Sequence, residues 1–269
     1  MSSSLASKLT DALWLAAHDG VDSRPCIGER PLAVGLAAGL LAELLHGGFT
    51  ELRQGELFRA TDVLPGDPAL SPLLVTMVTE ERDWQRSAPV VRAHARVNEG
   101  YEWPRLAGDG LDGLQSARDG RGRSSVVQGE FRHRMRGHDL GVWLSYLAYE
   151  QRAERLVIDR LERAGLVQRQ GHTRLFRSPV VRFVPCDSAV SGNPANGITT
   201  AIQRGYSLNG RELVLAGLFL ATGLHHHALA TLSLHERSVL ADQLGQGLDP
   251  MSRELLSAAD AAIGEAAMR

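Results

Sequence analysis

Between Leu32 and Leu45 the chain carries one strongly polar residue, Glu43, within the stretch PLAVGLAAGLLAELLHGG (Pro31–Gly48). A helix at a surface shows one apolar stripe, whereas a helix apolar on every side must be enclosed by protein or lipid. As a helix this run rises roughly 21 Å, short of the ~30 Å hydrocarbon layer of a bilayer. It is therefore predicted to be a buried central helix and not a membrane span. Its small residues (Ala33, Gly35, Ala37, Ala38, Gly39, Ala42) let neighbouring helices approach closely. Gly47 and Gly48 are expected to supply the positive φ that ends a helix. A hidden rod of this kind needs other elements wrapped around it.

The 269 residues are enough to bury a sizeable core as one large domain or two small ones. A formal net charge of −2 favours neither nucleic acid nor anionic membrane, so either partner would need a local basic patch. Lys8 is the only lysine. This arginine bias points to a GC-rich bacterial genome, and it also suits bidentate phosphate contacts. Cys26 and Cys186 stand alone without CxxC spacing, which fits a reduced, cytosolic compartment. MSSSLASKLT lacks the basic-then-apolar pattern of a leader, and no apolar run reaches the length of a span, so a soluble protein is expected.

Periodicity predicts a mainly helical chain. Leu5, Leu9, Leu13 and Ala16 form a helical stripe that His18-Asp19-Gly20 breaks, and Asp22 to Pro25 read as a turn or short link. Phe49–Leu52 and Glu56–Ala60 flank Arg53-Gln54-Gly55 as a small hairpin. Asp67 and Pro68 are typed as N-cap and first residue of a helix reaching about Glu81, with another helix from Pro89 to about Val97. Residues 100–123 are glycine-rich, polar and aperiodic, and arginines crowd the stretch to Arg136. This reads as an exposed insertion at about 100–137.

From Leu140 the spacing Leu140, Trp143, Leu144, Leu147 is helical. A second helix turns Ala153, Leu156, Val157, Leu161 and Ala164 inward, and Arg152, Arg155, Asp159, Arg160, Glu162 and Arg163 mostly outward. Leu166–Arg169, the turn Gln170-Gly171-His172 and Thr173–Ser178 read as a hairpin limited by Pro179. A link through Pro185 and Asn193-Pro194 leads to a helix near Ala195–Tyr206. Asn209 caps an apolar helix over Glu212–Gly223, and amphipathic helices follow at about Leu234–Leu244 and at Pro250–Ala267, the last capped by Asp249.

Five stretches in this order, LWLAAHDG (Leu13–Gly20), GLAAGLLAELLHGG (Gly35–Gly48), PGDPAL (Pro65–Leu70), ERLVIDRLERAGLV (Glu154–Val167) and LAGLFLATGL (Leu215–Leu224), resemble the Golgi phosphoprotein 3-like family and its bacterial members. The resemblance implies a single domain, mainly α, built as a helical bundle around a buried apolar central helix with a projecting β-hairpin. It also implies a non-enzymatic peripheral membrane protein without cofactors. Such a protein would bind anionic headgroups, phosphatidylinositol 4-phosphate in the family, at the inner face of the membrane as an adaptor or tether. Partner proteins, cargo and a homo-oligomer all fit this role. The family's tryptophan and first arginine align with Gly28 and Ala37. Its later arginine pair aligns with Gln151 and Glu154, and Arg152 and Arg155 lie one residue along.

Arg174-Leu175-Phe176-Arg177 places an apolar pair between two arginines, a pattern suited to a membrane interface, where apolar groups enter the acyl boundary and guanidinium groups meet phosphates. Arg152 and Arg155, spaced i, i+3, share a helix face and could reach one phosphate. The candidate lipid-binding residues are therefore Arg152, Arg155, Arg174, Leu175, Phe176 and Arg177. His225-His226-His227 point in different directions on a helix or turn, and no metal site is expected. No GxSxG, HExxH, P-loop or GxGxxG element stands in its required context, so no catalytic residue is assigned. The rival reading is a winged-helix DNA-binding module over 143–184, a helix followed by a basic hairpin. It leaves the apolar helices at 32–45 and 213–223 unexplained, so nucleic acid is not the expected partner.

Overall fold

The structure, a computed structural model, describes residues 8–20, 23–98, 137–172 and 180–267. It divides into two compact units, residues 1–77 with 137–269 and residues 78–136. In the first unit the apolar run forms helix α2 (Glu29–His46), and every residue from Leu32 to Leu45 except Glu43 is buried. Helix α1 (Leu9–Ala16), α4 (Leu140–Ala148), α5 (Arg152–Arg163), α7 (Gly210–Ala221) and α10 (Pro250–Ala267) all pack on it. The small residues act as expected: a methyl group added at Gly35 or Gly39 would fall on the Cγ2 of Thr222 or Thr10. Gly48 ends the helix with φ 70°, whereas Gly47 keeps helical angles as the C-cap.

Strands β1 (Thr50–Arg53) and β2 (Glu56–Arg59) pair antiparallel through Gln54 and Gly55, which have φ 53° and 76°. Two left-handed residues make the turn whose twist suits a two-residue hairpin. A short strand β3 (His138–Asp139) joins β2 on its other side, an addition that its two residues do not signal in sequence. Helix α3 (Ser71–Asn98) is one continuous helix where two were expected, and Pro89 lies inside it. Its first turn is prepared by Asp67, whose Oδ1 accepts hydrogen bonds from the amides of Ala69 and Leu70 at 2.9 and 3.2 Å.

The spacing Leu140, Trp143, Leu144, Leu147 buries all four residues in α4. Strands β4 (Val167–His172) and β5 (Val180–Pro185) pair from Val167↔Pro185 to His172↔Val180. The expected turn Gln170-Gly171-His172 is thus part of a strand, and Val180 to Pro185, expected as a link, forms the return arm. Val180, Val181, Phe183 and Val184 are β-branched or aromatic and favour that arm. Helix α6 (Ser188–Gln203) starts earlier than expected, capped by Asp187 and carrying Pro194 internally. Helix α7 opens on a capping box between Asn209 and Glu212, and α10 on the Asp249 cap. Helices α8 (His225–Ala228) and α9 (Leu234–Gly247) lie between them. No helix among the described residues is long and apolar enough to cross a membrane.

Candidate functional site

A cleft of about 650 Å³ opens where the first turn of α2 faces the junction of α4 and α5. Glu29, Arg30, Ala33 and Val34 of α2 line it, together with Ser145, Tyr149, Gln151 and Arg155. The junction is built from two consecutive non-glycine residues in the left-handed region, Glu150 (φ 50°) and Gln151 (φ 58°). Each such residue costs about 1–2 kcal/mol in isolation, so the packing around the junction must hold it. This reversal ends α4 and starts α5 within three residues.

Two helix N-termini therefore open on one cleft. Neither N-cap, Gly28 for α2 or Gln151 for α5, makes a side-chain capping hydrogen bond. The side chains that could cap are engaged elsewhere. Glu154, in the first turn of α5, accepts a hydrogen bond from Trp14 Nε1 at 3.2 Å, and Gln151 Nε2 donates to Glu29 Oε1. Burial raises the Glu154 carboxyl above its usual pKa. First-turn amides and the helix dipole favour an anion at such ends. Exposed Arg30 and Arg155 add two cations, while Glu29 and Glu150 make the lining formally neutral.

The two arginines expected to share a phosphate have different neighbours. Arg155 reaches the cleft. Arg152 instead lies over two tyrosines of the α4 end, its Cζ 4.3 Å from the Tyr146 ring centre and 5.3 Å from that of Tyr149. Arg174, Leu175, Phe176 and Arg177 fall between the arms of the β4–β5 hairpin and lie outside the described residues, as does the expected insertion up to Arg136.

Farther along α2 and α5 lies a charged network that the periodicity of α5 does not reveal. Arg160, expected outward, is 6% exposed, because Glu43 of α2 and Asp11 of α1 sit opposite it in the core. Ala164, expected inward, is exposed in its place. Arg160 Nε donates to Asp11 Oδ1 at 2.9 Å, Nη1 to Glu43 Oε2 at 2.7 Å, and Nη1 to Asp67 Oδ1 at 3.2 Å. Thr10 accepts from Arg160 Nη2 and donates its hydroxyl to Glu43 Oε1 at 2.8 Å.

One guanidinium thus meets three carboxylates, and Lys8 stands 3.7 Å from Asp67. Burial pushes the Asp11 carboxyl up to about 6 despite the attraction of Arg160. Burial also raises Asp67, but Arg160 and the two cap amides outweigh it and hold its pKa below the usual range. The carboxylates likewise overcome the burial of Arg160 and keep it protonated. This network fixes α1, α2, α5 and the approach to α3 against one another.

Among the described residues no group of His, Cys, Asp and Glu is arranged to hold a metal ion. His46 Nε2 lies 3.0 Å from Ser252 Oγ, yet that hydroxyl donates to the Asp249 carboxylate at 2.6 Å as part of the α10 cap. Its proton is directed away from the imidazole, so the trio is a helix cap and not a nucleophile.

These features define a mainly α scaffold whose buried central helix carries a polar cleft at its first turn. The sequence model of the Golgi phosphoprotein 3 family matches residues 105–265, more than half of the chain, and the chain belongs to that family. Membership implies, in general terms, a Golgi-type phosphoinositide-binding adaptor role, and the family is not known as one of enzymes. No curated protein matches the chain.

Proposed function

We propose that this chain is a single-domain peripheral membrane protein. It binds anionic phospholipid headgroups in the cleft and acts as an adaptor or tether at the inner face of a membrane, without chemistry of its own. The observation that carries this reading is the convergence of two helix N-termini, neither capped by a side chain, on a cleft that Arg30 and Arg155 line. A phosphate there would accept from first-turn amides while the arginines close around it. Phosphatidylinositol 4-phosphate is the family's headgroup. The formally neutral lining makes another phosphorylated headgroup equally suitable. Arg174, Leu175, Phe176 and Arg177 complete the contact, the apolar pair entering the acyl boundary. The DNA reading loses support because Arg160, on its would-be recognition helix, is held inside the protein.

Vesicle flotation tests the proposal. The protein should float with vesicles of phosphatidylcholine containing phosphatidylinositol 4-phosphate or phosphatidylserine, and not with phosphatidylcholine alone. Arg30→Ala with Arg155→Ala should weaken flotation at least tenfold, in the range of about 1.5–3 kcal/mol for charge-assisted hydrogen bonds. Leu175→Asp with Phe176→Asp should abolish it while helicity stays intact; unchanged flotation would remove the hairpin from the mechanism. Equal flotation on neutral and anionic vesicles, or a duplex shift with a steep salt slope in its place, would defeat the reading.

A further inference from the structure

Helix α4 buries one face and leaves another bare. Val142, Tyr146 and Tyr149 follow at spacings of four and three, and are 63%, 38% and 60% exposed. Spacings of four and three put side chains on one face of a helix. Beyond Tyr149 the left-handed pair Glu150 and Gln151 turns the chain back, so that Arg152 lies across both tyrosine rings. Its Nη1 also donates to the Tyr146 carbonyl at 3.5 Å. The result is a stripe of one aliphatic and two aromatic side chains ending in a guanidinium. The stripe is continuous with the cleft, since Ser145 and Tyr149 of the same segment line it.

The geometry points to this stripe as a second contact with the bilayer, seated at the headgroup–acyl boundary beside the cleft. The inference rests on the headgroup reading of the cleft and names the surface that meets the lipid around the bound headgroup. Three properties select a bilayer as the occupant. Tyrosine rings offer an apolar body with a polar tip, the combination enriched at membrane–water interfaces. The guanidinium over the rings is placed for phosphate while its flat face stays on apolar carbon. Finally, a phosphate in the cleft would bring its own acyl chains and neighbouring headgroups against this side of α4.

Val142 and Tyr146 do not line the cleft, so variants there separate the two contacts. Flotation is measured on phosphatidylcholine vesicles containing phosphatidylserine, for the full chain and for Arg155→Ala, Val142→Asp, Val142→Trp and Tyr146→Ala. Circular dichroism confirms that each variant is folded. Val142→Asp and Tyr146→Ala are expected to lower the bound fraction about tenfold, and Val142→Trp to raise it, because added apolar area at the boundary strengthens partition. Native-like binding by Val142→Asp and Tyr146→Ala, with Arg155→Ala impaired, would overturn the stripe as a lipid contact and leave the cleft standing. Loss in Val142→Asp with none in Arg155→Ala would support the stripe and remove the cleft from the headgroup reading. Absence of flotation by the native chain would overturn both.

Discussion

Arg160 Nη1 lies 2.7 Å from Glu43 Oε2, joining the middle of α5 to the one strongly polar residue of the central helix's apolar run. The pair is more than 90% withdrawn from water on both sides, and Asp11 and Asp67 complete the surroundings of the guanidinium. It sets the register between the two helices whose first turns form the cleft.

Removing the guanidinium strands three carboxylates in the core. Arg160→Met is expected to cost on the order of 3–5 kcal/mol, the range for breaking a buried ion pair from one side. Arg160→Lys keeps a charge but not the planar fork that reaches all three partners, and should fall between native and Met. Urea unfolding midpoints decide the matter. A loss of under about 1 kcal/mol for Arg160→Met would mean that the network contributes little.

Asp11 should impose a pH dependence of a particular sign. Its pKa rises on folding from the ordinary 3.8 to about 6, so the folded state holds the proton more tightly. The stabilisation this gives is full below about pH 4 and is lost as pH climbs to about 6. Asp11→Asn, which keeps an oxygen for Arg160, should therefore gain stability relative to native between about pH 4 and 6. The gain has a ceiling on the order of 3 kcal/mol and levels off above that range. Asp67 and Asp249, held below the usual range, lose stabilisation as pH falls, but both proteins share that effect. Thermal midpoints of the two proteins across this range provide the check. Parallel curves would contradict it.

Gly39→Ala tests the close approach of α1 to α2. The new methyl would fall on the Cγ2 of Thr10, whose amide and hydroxyl are both held by Glu43 and which therefore cannot swing aside. Overpacking of this kind costs about 1–3 kcal/mol, against a gain of up to about 1 kcal/mol from replacing a mid-helix glycine. A net loss in the denaturation midpoint is expected. Stabilisation would show that α1 can move away.

Glu150→Gly should act in the opposite direction. Glycine adopts φ 50° without strain, which offsets its greater freedom in the unfolded chain, so a gain of up to about 1 kcal/mol is expected. The substitution also removes one of the two acidic residues lining the cleft. Its binding to phosphatidylserine vesicles should therefore be tighter than native at low salt and converge with native at high salt. Weaker binding would place Glu150 among the residues that support the ligand.

Much of this was legible in the chain because the signals are local. The apolar run broken only by Glu43 marked α2, the spacing Leu140–Trp143–Leu144–Leu147 marked α4, and Asn209 and Asp249 marked the starts of two helices by their capping chemistry. Pro89 and Pro194 misled for a local reason as well. A proline inside a helix costs about 3 kcal/mol, which reads locally as a boundary, but the rest of α3 and α6 outweighs that cost. The return arm of the second hairpin was placed at Thr173–Ser178 because Pro179 read as its limit, whereas the first arm continues through Gly171 and His172 and pairs with Val180–Pro185.

Composition alone required that a run too apolar for any surface be enclosed, and a carboxylate within it, Glu43, is stable only beside a cationic or hydrogen-bonding partner, since an unpaired buried charge is prohibitive. It left open which of the chain's many arginines would serve. The choice fell on Arg160 because it depends on how α1, α2 and α5 meet over a separation of 117 residues between donor and acceptor. The same packing lays Arg152 over the rings of Tyr146 and Tyr149 and leaves Arg155 lining the cleft. Sequence spacing constrains the face a side chain occupies; the neighbours supplied by the rest of the fold decide what that face meets.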